Sequence, residues 1–573
     1  MKEASRRIMA PLLAAWALFM PELAAAQSVR TASVAAPVLH APLAARTVVR
    51  PPSADPLASL LKTTLDAAQA GTGDTTLLDL MPFYQQRGYV PAFSGDPARL
   101  ERGRAVLGAL MRADREGLDP AYYEVERLSV LSGLGTAAGT MPRPVDQAEF
   151  ELRLARALVH YALDVSEGRA GPEHEQAGGV RRIGPTPPTP LLQAAASTPD
   201  LGRWLDSLPP DSPHYVRLRT ALAEWRAKLG QVVWTPVPAG RRLQRGSAGP
   251  EVVALRRRLI EEGLLSPPAH PGQLSALYDE SLTGPVRAFQ ARYGLGADGV
   301  VGERTFRALN ATVAQRVEQI RINMERRRWL PRDLGDRYVF VNLADFTLKV
   351  VDQDRTIHTS RVVVGSPYTS TPMMSHDISY VVLNPYWNVP QSILFREMLP
   401  HLRRDPDWLA KERLRLFSGW GADAFEVDPR QVDWSAVTEA TWRFRVRQDS
   451  GPDNSLGVIK FMFPNPDHIY LHDTPSKNLF RRSVRAFSHG CIRVEDPLAL
   501  ADVLLASQGW PRARLEQVVE GGKPEQIVRL KKPTPIHLAY ITAWVDKSGE
   551  LLLLDDIYGR DTLLKQALEV ESS

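Results

Sequence analysis

Cys491 is the single cysteine of this 573-residue chain, and it stands in Ser488-His489-Gly490-Cys491-Ile492-Arg493 with a further histidine, His472, upstream. A thiolate attacks carbonyl carbon and a thiol does not, so a cysteine with an imidazole in hydrogen-bond reach is a candidate nucleophile with its base. Fifteen residues lie between His472 and Ser488, ample for a loop that doubles back. Gly490 lets backbone approach the thiol closely, and the N–H groups around Gly490 and Cys491 could stabilise an oxyanion. Two other readings stand beside this one. A free cysteine is often buried and inert. A zinc site could draw on Cys491 with His472, His489 or His468, although CxxC and HExxH spacings are absent.

The element that must carry His472 is a strand over His468-Ile469-Tyr470-Leu471-His472. Alternation sets His468, Tyr470 and His472 on one face and the apolar Ile469 and Leu471 on the other. Asp473-Thr474-Pro475 ends the strand and leaves His472 at its tip. His468 reads as a structural histidine satisfied by hydrogen bonds.

An unpaired thiol matters more if the chain is exported. Lys2, Arg6 and Arg7 precede an apolar run from Ile8 to Met20, and Leu23-Ala24-Ala25-Ala26-Gln27 offers a small-x-small cleavage site. That order predicts a signal peptide over 1–26, with a retained anchor as the alternative; the run is short for a membrane span. The mature chain is then expected to be soluble outside the cytoplasm. A net charge of +5 is mild for this length, and no Lys/Arg stripe interleaved with aromatics points to nucleic acid.

At about 150 residues per domain, the length predicts three or four domains. Residues 27–55 are rich in Ala, Pro, Val and Ser and read as a flexible leader. Helical spacing dominates 56–234, as in Leu57 to Ala70, Pro97 to Glu116 and Asp146 to Gly168, with the proline-rich stretch 184–190 as a loop. A small bundle follows over 243–312: Val252, Leu255 and Leu259 share one helical face, and Val286, Phe289 and Tyr293 share another. From about Tyr338 the period changes to that of a mainly β domain, expected over 336–560. Residues 401–445, with Trp408, Trp420, Trp434 and Trp442, read as a helical cap inserted into it, and Ile536–Tyr540, Ala543–Val545 and Leu551–Leu554 as late strands completing its sheet. The fold class is multidomain α plus β.

Two of these segments resemble known families. Phe289-Gln290-Ala291-Arg292-Tyr293-Gly294-Leu295, Asp298-Gly299-Val300-Val301-Gly302, Thr305 and Leu309-Asn310 resemble the peptidoglycan-binding type 1 module. The stretch from Ser266 to Leu277 adds a loop to the shortest such modules and bears on whether their groove is kept. His472 followed by Ser488-His489-Gly490-Cys491 resembles the signature of the YkuD-type L,D-transpeptidases. Asn342-Leu343-Ala344-Asp345-Phe346, Asn384-Pro385-Tyr386-Trp387-Asn388-Val389-Pro390 and Lys460-Phe461-Met462-Phe463-Pro464-Asn465 are similar to the large Gram-negative branch of that family. The resemblance implies a helical scaffold, a peptidoglycan-binding bundle and a capped catalytic domain working in the periplasm.

It also implies the chemistry. Cys491 would form a thioester with a tetrapeptide stem, His472 would carry the proton, and the amine of a second stem would resolve the thioester into a 3-3 cross-link between meso-diaminopimelate residues. Tyr470 and Ser488 would position imidazole or stem, and His489 would support the loop. Arg493, where some relatives carry Asn, would serve substrate carboxylate or active-site backbone. Peptidoglycan stems are then both donor and acceptor, other cell-wall enzymes are candidate partners, and neither metal nor organic cofactor is required. A cysteine carboxypeptidase on the same stems and a non-catalytic peptidoglycan-binding protein are the alternatives.

Overall fold

The computed structural model describes residues 55–133, 143–171, 187–270 and 273–570. The expected signal peptide, and all of the leader but its last residue, lie outside the described residues. Among the described residues no helix is long and apolar enough to cross a membrane.

The N-terminal region is helical because its apolar residues recur at helical spacing and its helices are well started. Pro56–Gln69, Pro97–Leu110 and Pro144–Glu167 each begin with proline, whose missing N–H is one the first turn would leave unpaired anyway. The same rule corrects the last part of the expected loop at 184–190: Pro188, Thr189 and Pro190 open the helix Pro188–Ser197, while 184–186 lie outside the described residues. At the heart of this region the buried Glu151 carboxylate accepts from the amides of Ala92 (2.6 Å) and Phe93 (2.8 Å), from Ser94 Oγ (2.9 Å) and from Tyr84 OH (2.9 Å).

The small bundle consists of helices Pro250–Glu261, Glu280–Arg292 and Glu303–Leu309. It does not own its core. Val252, Leu255, Phe289 and Phe306 pack in one cluster with Tyr215 and Leu218 from the scaffold, with Val317 and Ile320 from the helix Val313–Arg328, and with Ala543, Val545 and Leu553 from the far end of the chain. The late hairpin was expected to complete the β domain's sheet. Instead it is a separate two-stranded unit, because its apolar face has this shared core to cover.

The C-terminal region is built on a nine-stranded sheet. In chain order its strands are β1 (Arg337–Asn342), β2 (Thr347–Asp352), β3 (Arg355–Gly365) and β4 (Met374–Leu383). An inserted layer then contributes β5 (Trp387–Asn388), β6 (Leu414–Phe417) and β7 (Arg445–Gln448) to a sheet of its own. The main sheet resumes with β8 (Ile459–Met462), β9 (Leu471–His472), β10 (Ala486–Ser488), β11 (Ile492–Val494) and β12 (Gln526–Ala539), and the hairpin is β13 (Ala543–Val545) and β14 (Leu551–Leu553). The main order is β10-β3-β11-β9-β8-β4-β12-β1-β2, and β2 also pairs with β3, so the sheet returns upon itself and most of its edges are covered.

The insertion is wider than 401–445 and is not only helical. It leaves after Leu383, rejoins at Ile459, and holds the antiparallel sheet β5-β7-β6 beside short helices. Its own apolar cluster, including Leu394, Leu402, Leu409, Trp434 and Val446, explains the breadth: two-residue β5 and the helical turns after it are needed to close that core.

The scaffold is tied to the central helix by a buried network. Arg328 donates to Glu325 Oε2 (2.6 Å), to Tyr215 OH (2.9 Å) and to the Glu116 carbonyl, while Glu325 Oε1 accepts from the Ala170 amide (2.9 Å). Removing the guanidinium strands a buried carboxylate. Arg328→Ala is therefore expected to destabilise the protein by about 3–5 kcal/mol. Urea unfolding of the intact chain measures it; an unshifted midpoint would contradict the network's role.

Candidate active site

Strands β9 and β11 run parallel, with Leu471 opposite Ile492 and His472 opposite Arg493, and the Ile492 amide donates to the Tyr470 carbonyl (3.1 Å). Leu471 and Ile492 are wholly buried in the core of the main sheet. Alternation then turns Tyr470, His472, Cys491 and Arg493 to the opposite face, on neighbouring strands. The Tyr470 and His472 rings meet edge to face at 5.7 Å. On the far side of β9, Lys460 of β8 pairs with His472, so Lys460, His472 and Arg493 form a row across three strands.

The strand expected over 468–472 is shorter. Only Leu471 and His472 are paired, because His468 takes a left-handed backbone (φ 54°) and Asn465 holds the turn, accepting from the Ile469 amide (3.0 Å) and donating to the Ile469 carbonyl (2.7 Å). His468 thus does not join the row. Its carbonyl lies 3.7 Å from Cys491 Sγ, as acceptor of the thiol.

The thiol sits after a tight turn that several hydroxyls hold. Ser488 Oγ accepts from the Gly490 amide (3.2 Å) and donates to the Cys491 carbonyl (2.5 Å). Thr371 Oγ1 accepts from the Gly365 amide (2.9 Å) and donates to the Gly490 carbonyl (2.7 Å). Gly490 has φ 117°, which side chains rarely adopt, and a Cβ there would press on Ile469 at 3.2 Å. His489 points away from the thiol's neighbours: its Nε2 meets Glu397, on the π-helical turn Leu394–Met398 of the inserted layer. The insertion therefore touches the loop two residues from Cys491.

Electrostatics set the protonation state. His472 is 5% exposed, and its Nδ1 is hydrogen-bonded to the Asp473 carbonyl. A carbonyl only accepts, so Nδ1 carries the proton and Nε2 presents its lone pair. Burial first, then the charges of Arg493 and Lys460, push its pKa down to about 3. Burial likewise pushes the Cys491 thiol up to about 11, opposed by hydrogen bonds from Tyr470 and by Arg493 and Lys460. The resting pair is thus neutral thiol and neutral imidazole, with two cations waiting for negative charge. Cys491 itself is half-buried rather than sealed. Among the described residues no group of three or more His, Cys, Asp or Glu could hold a metal ion.

Residues 336–526 match the family model of the L,D-transpeptidase catalytic domain. Over these residues the chain is similar to L,D-transpeptidase catalytic domains. Residues 79–222 match a scaffold domain, and 248–309 match a "Putative peptidoglycan binding domain". A curated relative from Haemophilus influenzae, described as "Putative L,D-transpeptidase", is 36% identical over 250 residues, which are 44% of this chain and 49% of that protein. The chain thus matches about half the length of that relative. Among solved structures, an L,D-transpeptidase from Xylanimonas cellulosilytica is 17% identical, over 52% of this chain and 98% of that one, with a TM-score of 0.17. One from Stackebrandtia nassauensis is 13% identical, over 52% and 98%, with a TM-score of 0.16.

Of the sequence-picked residues, Cys491, His472, Tyr470 and Arg493 are gathered on one face of the main sheet, Ser488 and Gly490 shape the turn, and His489 faces the insertion. Lys460 and Asp473 were not picked. A lysine inside the apolar strand Ile459-Lys460-Phe461-Met462, and a carboxylate immediately after His472, were the signals available.

The thiol stays protonated below its raised pKa of about 11, and His472 contributes no charge change above about 3. The rate of Cys491 alkylation by iodoacetamide should therefore climb with pH through the alkaline range. A plateau reached near neutral pH, as a thiolate–imidazolium pair gives, would contradict this assignment.

Proposed function

We propose that the protein is a peptidoglycan L,D-transpeptidase that forms 3-3 cross-links through a thioester on Cys491. The observation that carries the reading is the pairing of β9 with β11, which sets a neutral imidazole and a thiol side by side on one polar face. The matched peptidoglycan-binding region supports a wall substrate, and the basic start, apolar run and small-x-small site within residues 1–27 support an exported enzyme acting in the periplasm behind a cleaved signal peptide.

The residues divide the work as follows. His472 Nε2 takes the thiol proton as sulfur adds to the carbonyl between the third residue and the terminal D-alanine of a tetrapeptide stem. The Gly490 amide is occupied by Ser488, so the Cys491 amide is the donor of that turn for the oxyanion, within the field of Lys460 and Arg493. Collapse of the tetrahedral adduct breaks the peptide bond, and imidazolium returns its proton to the leaving amine. An imidazole of low basicity gives that proton up readily. The amine of a second stem then adds to the thioester, His472 removes its extra proton, and the thiolate leaves and is reprotonated. Tyr470, hydrogen-bonded to the sulfur, and Arg493, with a buried Nε lacking a partner, are the groups best set to hold stem and sulfur.

Incubating the protein with tetrapeptide-bearing muropeptides and weighing the products by mass spectrometry tests this. The unaltered protein should yield cross-linked dimers and Cys491→Ala none, while both retain the same melting temperature. Dimers from Cys491→Ala would overturn the assignment, and tripeptide monomers alone would favour the carboxypeptidase.

A further inference from the structure

Asp473 follows the base directly, yet its side chain does not face the reaction. Asp473 is 7% exposed, and its two carboxylate oxygens are both engaged. Oδ2 accepts from the Val458 amide at 3.0 Å, and Oδ1 accepts from Lys477 Nζ at 2.5 Å, which also donates to the Glu495 carbonyl at 2.9 Å. Its main chain is fixed as firmly: the Asp473 amide donates to the Ile459 carbonyl (2.9 Å), and its carbonyl accepts from His472 Nδ1.

Val458 is the last residue of the inserted layer before β8. The layer enters at Asn384, whose amide donates to the Val458 carbonyl (2.8 Å), so both its connections meet at this point. Asn384 is buried, left-handed (φ 50°), and its Nδ2 donates to carbonyls of Val518, Val519 and Lys523 at 3.1–3.3 Å, which makes the entry a fixed pivot. The exit is fixed by Asp473. Gly457 (φ 59°) lies so close that a Cβ there would stand 2.2 Å from Asp473 Oδ2. At its other end the insertion reaches the thiol loop through Glu397 and His489. It is thus connected to the sulfur side by one contact and to the imidazole side by another.

We propose that Asp473 is a positioning residue through which the hinge of the inserted layer sets the orientation of the His472 imidazole. The ring packs edge to face against Tyr470, and the hydrogen bond that sets its Nδ1, among the described residues, is to the Asp473 carbonyl. That carbonyl in turn is only as well placed as the carboxylate anchored on Val458 and Lys477. A displacement of the insertion at its exit is therefore passed to Nε2 through these contacts. The inference rests on the transpeptidase reading of Cys491 and His472.

The experiment separates base-dependent from base-independent chemistry of the same sulfur. Acylation of Cys491 by a carbapenem at neutral pH needs His472; alkylation by iodoacetamide at pH 10 draws on thiolate formed by solvent. Asp473→Ala should slow acylation by about 10- to 100-fold, the effect expected of a displacement near 1 Å, and leave alkylation at pH 10 unchanged. Asp473→Asn, which keeps an acceptor for the Val458 amide, should recover most of the rate. Should Asp473→Ala fail to fold, Gly457→Ala, which crowds the carboxylate without removing it, should show the same selective loss. Acylation at the unaltered rate in these variants, or equal losses in both reactions, would overturn the inference. If the unaltered protein is not acylated at all, the reading beneath the inference fails and the inference with it.

Discussion

The pairing of two very short strands is the constraint on which the site depends. β9 contributes two residues and β11 three, and their register decides whether sulfur and imidazole meet. A slip of either strand by one residue would turn Leu471 or Ile492 out of the core and carry His472 or Cys491 to the core-facing side of the sheet. Burying both apolar side chains fully makes that slip costly, at about 1.5–3 kcal/mol for each. Hydrophobic burial beneath the sheet therefore specifies chemistry above it. The hydroxyls of Ser488 and Thr371 then hold the turn through which the chain arrives at Cys491.

A neutral thiol beside a neutral imidazole is a different device from a preformed ion pair. Burial works against both charged forms, and Arg493 and Lys460 add repulsion to an imidazolium while favouring a thiolate. The sulfur gains its full nucleophilicity only as the proton departs, when the two cations and the Tyr470 hydrogen bonds stabilise the charge that develops. Because both cations come from strands on either side of His472, the same register that aligns the pair also sets this field.

Much of this was legible from residue types. The inward pair Ile469 and Leu471, Tyr470 and His472 on the other face, and the change from helical to strand period near Tyr338 follow from local patterning, which short-range rules capture. Local patterning did not reveal the left-handed turn at His468, which depends on Asn465 binding back across the segment. Nor did it reveal that β13 and β14 leave the main sheet, since their partners lie more than two hundred residues away around Tyr215, Val252 and Ile320. Lys460 and Asp473 escaped notice for a related reason. Their significance comes from neighbours in space, His472 for one and the end of a long insertion for the other.

The cluster that joins the small bundle, the last scaffold helix, the central helix and the terminal hairpin has a mechanical consequence. Domains linked by a polar joint drift relative to one another, whereas a joint made of buried Val, Leu, Ile and Phe does not open without exposing them. Arg304 and Arg292 add ion pairs across it, to Asp555 and Glu550. The bundle is consequently no tethered grapple. Its bearing on Cys491 and its distance from that sulfur are fixed by the same buried side chains.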